Sequence, residues 1–318
     1  MTRILFATDM HGSEACFKKF VNAERFYKVD ALILGGDVTG KMIISIIEQR
    51  DGTFTTSFLG NEYHLRDQES VKEMENRIRK FGYYPHYTSP TEVEELSSKR
   101  ARVDELMLKL MIERLRGWMR LAEERLKGTG VRIYITGGND DPFIVEDILS
   151  SSDYIINPQD KVVEIDKEHE MISSGLSNLT PWRTPRQVPE DELADKIESM
   201  VNQVRHMKNC IFNLHAPPIN SGLDTCPKLD TTVKPPRPIT QGGAPVMYGA
   251  GSTAVRQAVE AHQPLLGLFG HIHESRGAIN IGRTLCINPG SEYTEGILRG
   301  AIVTLSGGVV KSYQLTSG

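Results

Sequence analysis

Arg3-Ile4-Leu5-Phe6-Ala7-Thr8-Asp9-Met10-His11 and, about twenty residues on, Ala31-Leu32-Ile33-Leu34-Gly35-Gly36-Asp37 decide how the rest of the chain is read. Each is a short apolar run that stops at a carboxylate. Between them Phe17, Phe20 and Val21 recur at helical spacing, so the segment reads strand, helix, strand. Such a unit predicts two parallel strands whose C-terminal ends carry functional loops.

The pattern returns along the chain. Residues 131–136 predict a strand ending at Gly137-Gly138-Asn139-Asp140, residues 209–214 one ending at His215, and residues 265–269 one ending at Gly270-His271-Ile272-His273. Residues 161–165 and 170–174 read as a strand pair, and a hairpin is expected around Ser306-Gly307-Gly308. Residues 50–130 interrupt this rhythm. Ser89-Pro90-Thr91-Glu92 carries a helix start, and Val103, Leu106, Met107, Leu110, Met111, Leu115, Trp118 and Met119 mark one apolar stripe of a helix running to Lys127. We expect one domain over residues 1–318 with a helical insertion at about 50–130, acting as a cap or dimerisation element. Its long helix covers its own domain or pairs with a second subunit in a homodimer. Residues 216–251, rich in Pro and Gly, are too long for a simple connector and are a candidate functional loop.

A chain of 318 residues can bury a sizeable core, and 39% hydrophobic with 25% charged residues is ordinary for a globular protein. A net charge of −4, with both signs mixed along the chain, gives no footprint for nucleic acid or an anionic membrane. No apolar run reaches membrane-spanning length. Cys16, Cys210, Cys226 and Cys286 are scattered without a CxxC pair and read as free thiols. With no secretory pattern at the N-terminus, the expected location is the cytoplasm.

An Asp or His after a strand means little alone. Together Asp9, His11, Asp37, Asn139, His215, His271 and His273 occupy strand C-termini, where open α/β sheets place their ligands. Carboxylate mixed with imidazole suits divalent Mn, Fe, Zn or Ni rather than Mg or Ca. Two such ions about 3.5–4 Å apart can hold a bridging hydroxide and both oxygens of an in-line phosphoryl displacement.

Asp9-Met10-His11, Gly36-Asp37, Gly138-Asn139, His215 and Gly270-His271-Ile272-His273 stand in the order of the motifs of the calcineurin-like metallophosphoesterase superfamily. The chain resembles that superfamily over nearly its whole length outside the insertion. Gly36-Asp37-Val38-Thr39-Gly40-Lys41, residues 270–277 and Asn288-Pro289-Gly290-Ser291-Glu292-Tyr293 are similar to the branch of predicted phosphoesterases related to the Icc cyclic-nucleotide phosphodiesterase. The resemblance implies an αββα sandwich with two divalent metal ions at one edge, manganese favoured, and a small-molecule phosphoester as substrate. It implies Asp9, His11 and His273 on the first metal, Asp37 bridging, and Asn139, His215 and His271 on the second.

The sequence departs from the superfamily in two places. Where a Gly-Asn-His motif is usual, it reads Gly138-Asn139-Asp140, and where Gly-Asp-x-x-Asp is usual, the last position is Gly40. The pair so lost is the His that serves the superfamily as general acid and its Asp partner. Proton transfer contributes about 10²–10⁴-fold. Its loss points to phosphodiesters or other good leaving groups, or to Asp140 as a replacement acid. Arg276 is a candidate to neutralise a phosphate oxygen, and residues 249–253 are either a phosphate cradle or a simple cap by Ser252. Two other readings stand beside the phosphodiesterase. One is a phosphomonoesterase or protein phosphatase on the same cluster, the other a catalytically weak binding or scaffold protein on the same fold.

Overall fold

The computed structural model describes residues 1–318. Thr2–Ala7 is a strand whose alternation sends Ile4 and Phe6 to one face and Leu5 and Ala7 to the other; Ala31–Gly35 beside it does the same with Ile33 and with Leu32 and Leu34. The two pair in parallel, Ile4 opposite Ala31. They form the middle of a six-stranded sheet ordered Val309–Ser317, Arg299–Ser306, Thr2–Ala7, Ala31–Gly35, Arg132–Thr136 and Ile155–Ile156. A second six-stranded sheet runs Gly277–Ile281, Thr284–Asn288, Leu266–Leu268, Cys210–Leu214, Glu170–Ser174 and Val162–Glu164.

The sheets face each other across one core. Ile4, Phe6, Ile33 and Tyr134 from the first meet Met171, Ile211, Leu268 and Ile287 from the second. Helices cover the outer faces. Leu5, Leu32 and Ile133 pack under α1 (Glu14–Tyr27), while Ile172, Phe212 and Cys286 pack with the helices Glu190–Val201 and Thr253–His262. The architecture is the expected αββα sandwich, and burial of both sheet faces explains why its parallel strands read as unbroken apolar runs.

The insertion differs from its helical expectation. Ile43–Glu48, Phe54–Phe58, Asn61–Leu65 and Tyr84–Thr88 form a four-stranded sheet, backed by α2 (Gln68–Lys80), with a small core of its own around Ile46, Phe58, Met74 and Ile78. It therefore begins at Ile43, and its strands are half-buried and short, which weakens their signal in the sequence. The long helix is also broken. Pro90–Ser98 (α3) buries no residue, and α4 (Arg100–Leu126) follows after Lys99 leaves the helical region at φ −134°. Ser97 and Ser98 turn their hydroxyls back onto the carbonyls of Val93 and Glu95, a local competition that favours a helix end. The C-terminal half of α4 supplies Leu115, Trp118, Met119 and Ala122 to the core under α1, and Trp118 stacks on Phe17 with centroids 4.2 Å apart. The C-terminal part of the predicted stripe is thus covered within the chain, while Val103, Leu106, Met107 and Leu110 are half-buried. No helix is long and apolar enough to cross a membrane, and all four cysteines are free.

Candidate metal centre

The loops after Thr2–Ala7 and Ala31–Gly35 are zipped together by backbone: the amides of Asp9, His11 and Gly12 donate to Gly36, Asp37 and Val38 at 2.8–3.0 Å. The loop after Arg132–Thr136 joins them through Asp141. Its buried carboxylate accepts from the amides of Val38, Thr39 and Gly138 and from the Thr39 hydroxyl. From the second sheet, the amide of His271 donates to the Asp9 carboxylate at 3.0 Å. Four loops from two sheets thus share one set of hydrogen bonds.

The backbone at this junction is strained. Asp9, His11, Asp37 and His271 all have positive φ, at 53°, 41°, 49° and 66°. Each such conformation costs a side-chain-bearing residue of order 1–3 kcal/mol and persists only where the surroundings enforce it. Gly36 serves the same packing from the other side, since a Cβ there would stand 2.3 Å from His215 Nδ1.

The donor atoms converge. His11 Nε2 lies 3.1 Å from His273 Nε2 and 3.5 Å from an Asp37 oxygen. His273 Nε2 is 3.3 Å from Asp9, and His215 Nε2 is 3.5 Å from Asp37 and 3.8 Å from Asp9. Asp9 with His11 and His273, Asp9 with Asp37 and His215, and His11 with Asp37 and Asp140 are three sets able to hold a metal ion. Separations near 3–4 Å are the edges expected of a polyhedron with metal–nitrogen bonds of about 2.0–2.1 Å. His215 Nδ1 is 3.0 Å from the Gly35 carbonyl, which only accepts, so in the neutral ring Nε2 is left to ligate. Asn139 is oriented likewise. Its Nδ2 donates to Thr184 and Asp140, turning Oδ1 toward His215 Nε2 at 3.0 Å. His271 stands edge-on to His215, ring centroids 5.4 Å apart, outside the three sets but on the cavity wall. The residue types and their spacing fit divalent ions.

Protonation follows from the crowding. Burial alone would raise the carboxyls of Asp9 and Asp37, but the neighbouring His273, His215 and His11 hold both well below the usual range. Burial would lower His215, yet Asp37 and Asp9 raise it to about 10. His11 and His271 are pushed down to about 3 and about 4, chiefly by burial. Burial and then Asp37 raise Asp140 to about 6.

Asp140 is not a free acid: its carboxylate is in contact with the Lys41 ammonium. The Gly40 position next to it is closed, because a Cβ there would meet the Gly82 carbonyl at 2.0 Å. Arg276 is not brought to the cleft; its guanidinium points to the Thr316 carbonyl at 3.5 Å, since the chain turns away into strand Gly277–Ile281. Nor is the helix start at residues 249–253 a phosphate cradle. Glu190 fills it, accepting from the Ser252 hydroxyl and the amides of Thr253 and Ala254, while Ser252 caps the helix.

Three neighbours of the donors had no role assigned by the sequence pattern. Lys41 and Thr184 reach the site from loops, and Arg114 of α4 supports it from below. Buried Arg114 donates to the carbonyls of Gly12, Gly82 and Tyr83 and lies over the Tyr84 ring at 4.1 Å, while the Tyr84 hydroxyl accepts from the Gly40 amide. The insertion is thereby locked to the loops that carry His11 and Asp37. Above the donors opens a cavity of about 620 Å³, whose outer wall includes Trp182, Pro227, Leu229, Pro238 and Tyr248.

No protein-family model matches the chain. The uncharacterized protein MJ1162 of Methanocaldococcus jannaschii is 32% identical over 154 residues, a stretch covering 48% of this chain and 61% of that protein. Among solved structures, TT1561 of Thermus thermophilus aligns over 100% of this chain and 98% of its own, at 13% identity and a TM-score of 0.54. Another structure aligns over 99% and 98% at 16% identity and a TM-score of 0.56. Both are likenesses of fold. An archaeal phosphodiesterase aligns over 99% of both chains at 14% identity, but its TM-score of 0.36 carries no argument.

Proposed function

We propose that this chain is a metal-dependent phosphoesterase of the calcineurin-like metallophosphoesterase type, acting on phosphodiesters in the cytoplasm. The observation that carries the reading is the convergence of Asp9, His11, Asp37, His215 and His273 from four strand ends onto donor separations of 3.1–3.8 Å, with three of the five in left-handed backbone. Clustering carboxylates and imidazoles in a buried place is costly unless a cation compensates them.

Asp9, His11 and His273 would hold one ion and Asn139, His215 and His271 the other, with Asp37 between them. Divalent ions there, manganese favoured, would polarise the phosphoryl oxygens and lower the pKa of water. The chain supplies the rest. Thr8 and the His271 amide fix the Asp9 carboxylate, Gly35 fixes the ring of His215, and Tyr293 shields His11 with ring centroids 4.7 Å apart. The diester preference is supported by the closed position at Gly40 and the engaged carboxylate of Asp140, which leave no free acid beside the leaving group. An aryl diester needs less protonation there than an alkyl monoester.

The test is hydrolysis of a chromogenic phosphodiester and its matching monoester by metal-stripped and manganese-loaded protein, with His215→Ala as control. The expected result is metal-dependent turnover favouring the diester and reduced at least about a hundredfold in the variant. Absence of turnover of either ester with manganese demonstrably bound would overturn the proposal.

A further inference from the structure

The cavity above the donors must receive an anion, and the side chains lining it include a single lysine or arginine. Lys41 stands on the loop four residues beyond Asp37 and lines the cavity together with Asn139, Asp140, His271 and His273. Arg183, Lys228 and Arg237 adjoin lining residues in the chain without lining the cavity themselves, and the remaining cations near the site are committed elsewhere. Arg186 is buried against Glu146, Arg114 is tied to backbone carbonyls beneath the loops, and Arg276 turns to Thr316.

Lys41 is held rather than loose. Its ammonium contacts one oxygen of Asp140, whose other oxygen accepts from Asn139 Nδ2 at 3.0 Å. The Asp140 amide in turn donates to Asp37 at 2.9 Å. Asp140 is thus fixed at its backbone and at both carboxylate oxygens, so it fixes the lysine relative to the donor cluster. An ammonium has three protons to donate, and one partner leaves two free on a side chain that lines the cleft. With the Lys41 side chain 47% exposed, the pair contributes little to stability. Its evident consequence is placement of a charge.

We propose that Lys41 is the phosphate-anchoring cation of the cleft, positioned by Asp140, and that the ligand it selects presents a single phosphate group. The assignment rests on the phosphoesterase reading above. Beyond what the metal ions would contribute, one ammonium adds a single point-charge contact, which suits one phosphate group. A di- or triphosphate would leave its remaining charges against Glu274 and an otherwise apolar wall of Trp182, Leu229 and Tyr248.

The experiment compares wild type, Lys41→Met and Lys41→Arg after manganese loading. It measures the metal content of each, the affinity for inorganic phosphate by calorimetric titration, and kcat and KM for bis(4-nitrophenyl) phosphate. Loss of a charge-assisted contact should weaken phosphate binding about 10–100-fold in Lys41→Met at unchanged manganese content. The same factor should fall on kcat/KM, and Lys41→Arg should recover most of it. Phosphate affinity within about twofold of wild type in Lys41→Met, or a loss that follows lost manganese, would overturn the assignment. Wild type that binds phosphate through Lys41 but hydrolyses no ester would instead refute the phosphoesterase reading and leave the anchor standing.

Discussion

On the inner wall of the cleft Asp9, His11, Asp37 and His215 are each no more than 2% exposed, and the loops carrying Asp9, His11 and Asp37 are bonded to one another backbone to backbone. On the outer wall Trp182 is 58% and Tyr248 39% exposed, and the chain from Thr225 to Gly249 is folded mainly on itself, in three two-stranded ribbons. Strain collects on the first wall, where surrounding hydrogen bonds enforce it; four of the predicted ligands have positive φ. The second wall offers proline, apolar surface and few long-range ties. Positioning reactive groups demands rigidity, whereas accommodating the organic part of a substrate needs shape and apolar area.

The comparison can be broken most severely at its centre. His215→Ala removes the ring fixed on Gly35 and should abolish manganese retention at the second position, measured as metal content after gel filtration, along with turnover. The next effect is indirect. Arg114 touches no donor atom, yet Arg114→Met leaves the carbonyls of Gly12, Gly82 and Tyr83 without their buried donor and should cost about 3 kcal/mol of stability. If the inner wall depends on that support, the variant should also lose manganese affinity below its unfolding temperature. Retained affinity in a merely destabilised protein would show that the loops hold themselves.

A third prediction concerns protons. His215 is raised to about 10 by Asp37 and Asp9 against the effect of burial, and His273 is raised by Asp9. Imidazole must be neutral to ligate, so below those values a proton competes with the metal. Manganese affinity should therefore rise with pH across the neutral range, about tenfold per unit for each proton released. Titrations in buffers of different ionisation enthalpy count those protons, and a pH-independent affinity would contradict the assignment of His215. The smallest effect belongs to the outer wall. Trp182→Ala should raise KM for an aryl diester by about 3–10-fold with kcat little changed, the scale of one aromatic contact. A larger loss in kcat would mean that this wall, too, positions the reacting group.

Much of the inner wall was legible in the chain because its signals are local. An apolar strand ending in Asp9, Asp37, Asn139, His215 or His271 is visible within a short window, and a parallel sheet buried on both faces must gather those ends at one edge. The small sheet of the insertion was not legible. Ile43–Glu48 pairs in parallel with Tyr84–Thr88, which contains Pro85 and lies far along the chain, and neither strand is buried on both faces. Asp141 could be read only as a residue after a motif, although it ties the loop after Arg132–Thr136 to the one after Ala31–Gly35. Arg276 shows the converse error: nearness in sequence to His273 did not survive the turn that follows.

The sequence by itself determined the layered α/β sandwich and the placement of the candidate donors at strand ends, since apolar period and residue chemistry act within a strand and its loop. The tertiary structure alone decided which neighbours serve those donors. Lys41 against Asp140, Arg114 beneath Gly12, and the Gly82 carbonyl filling the space at Gly40 join residues far apart in the chain. Such contacts arise from packing of whole elements, and no periodicity along the chain encodes them.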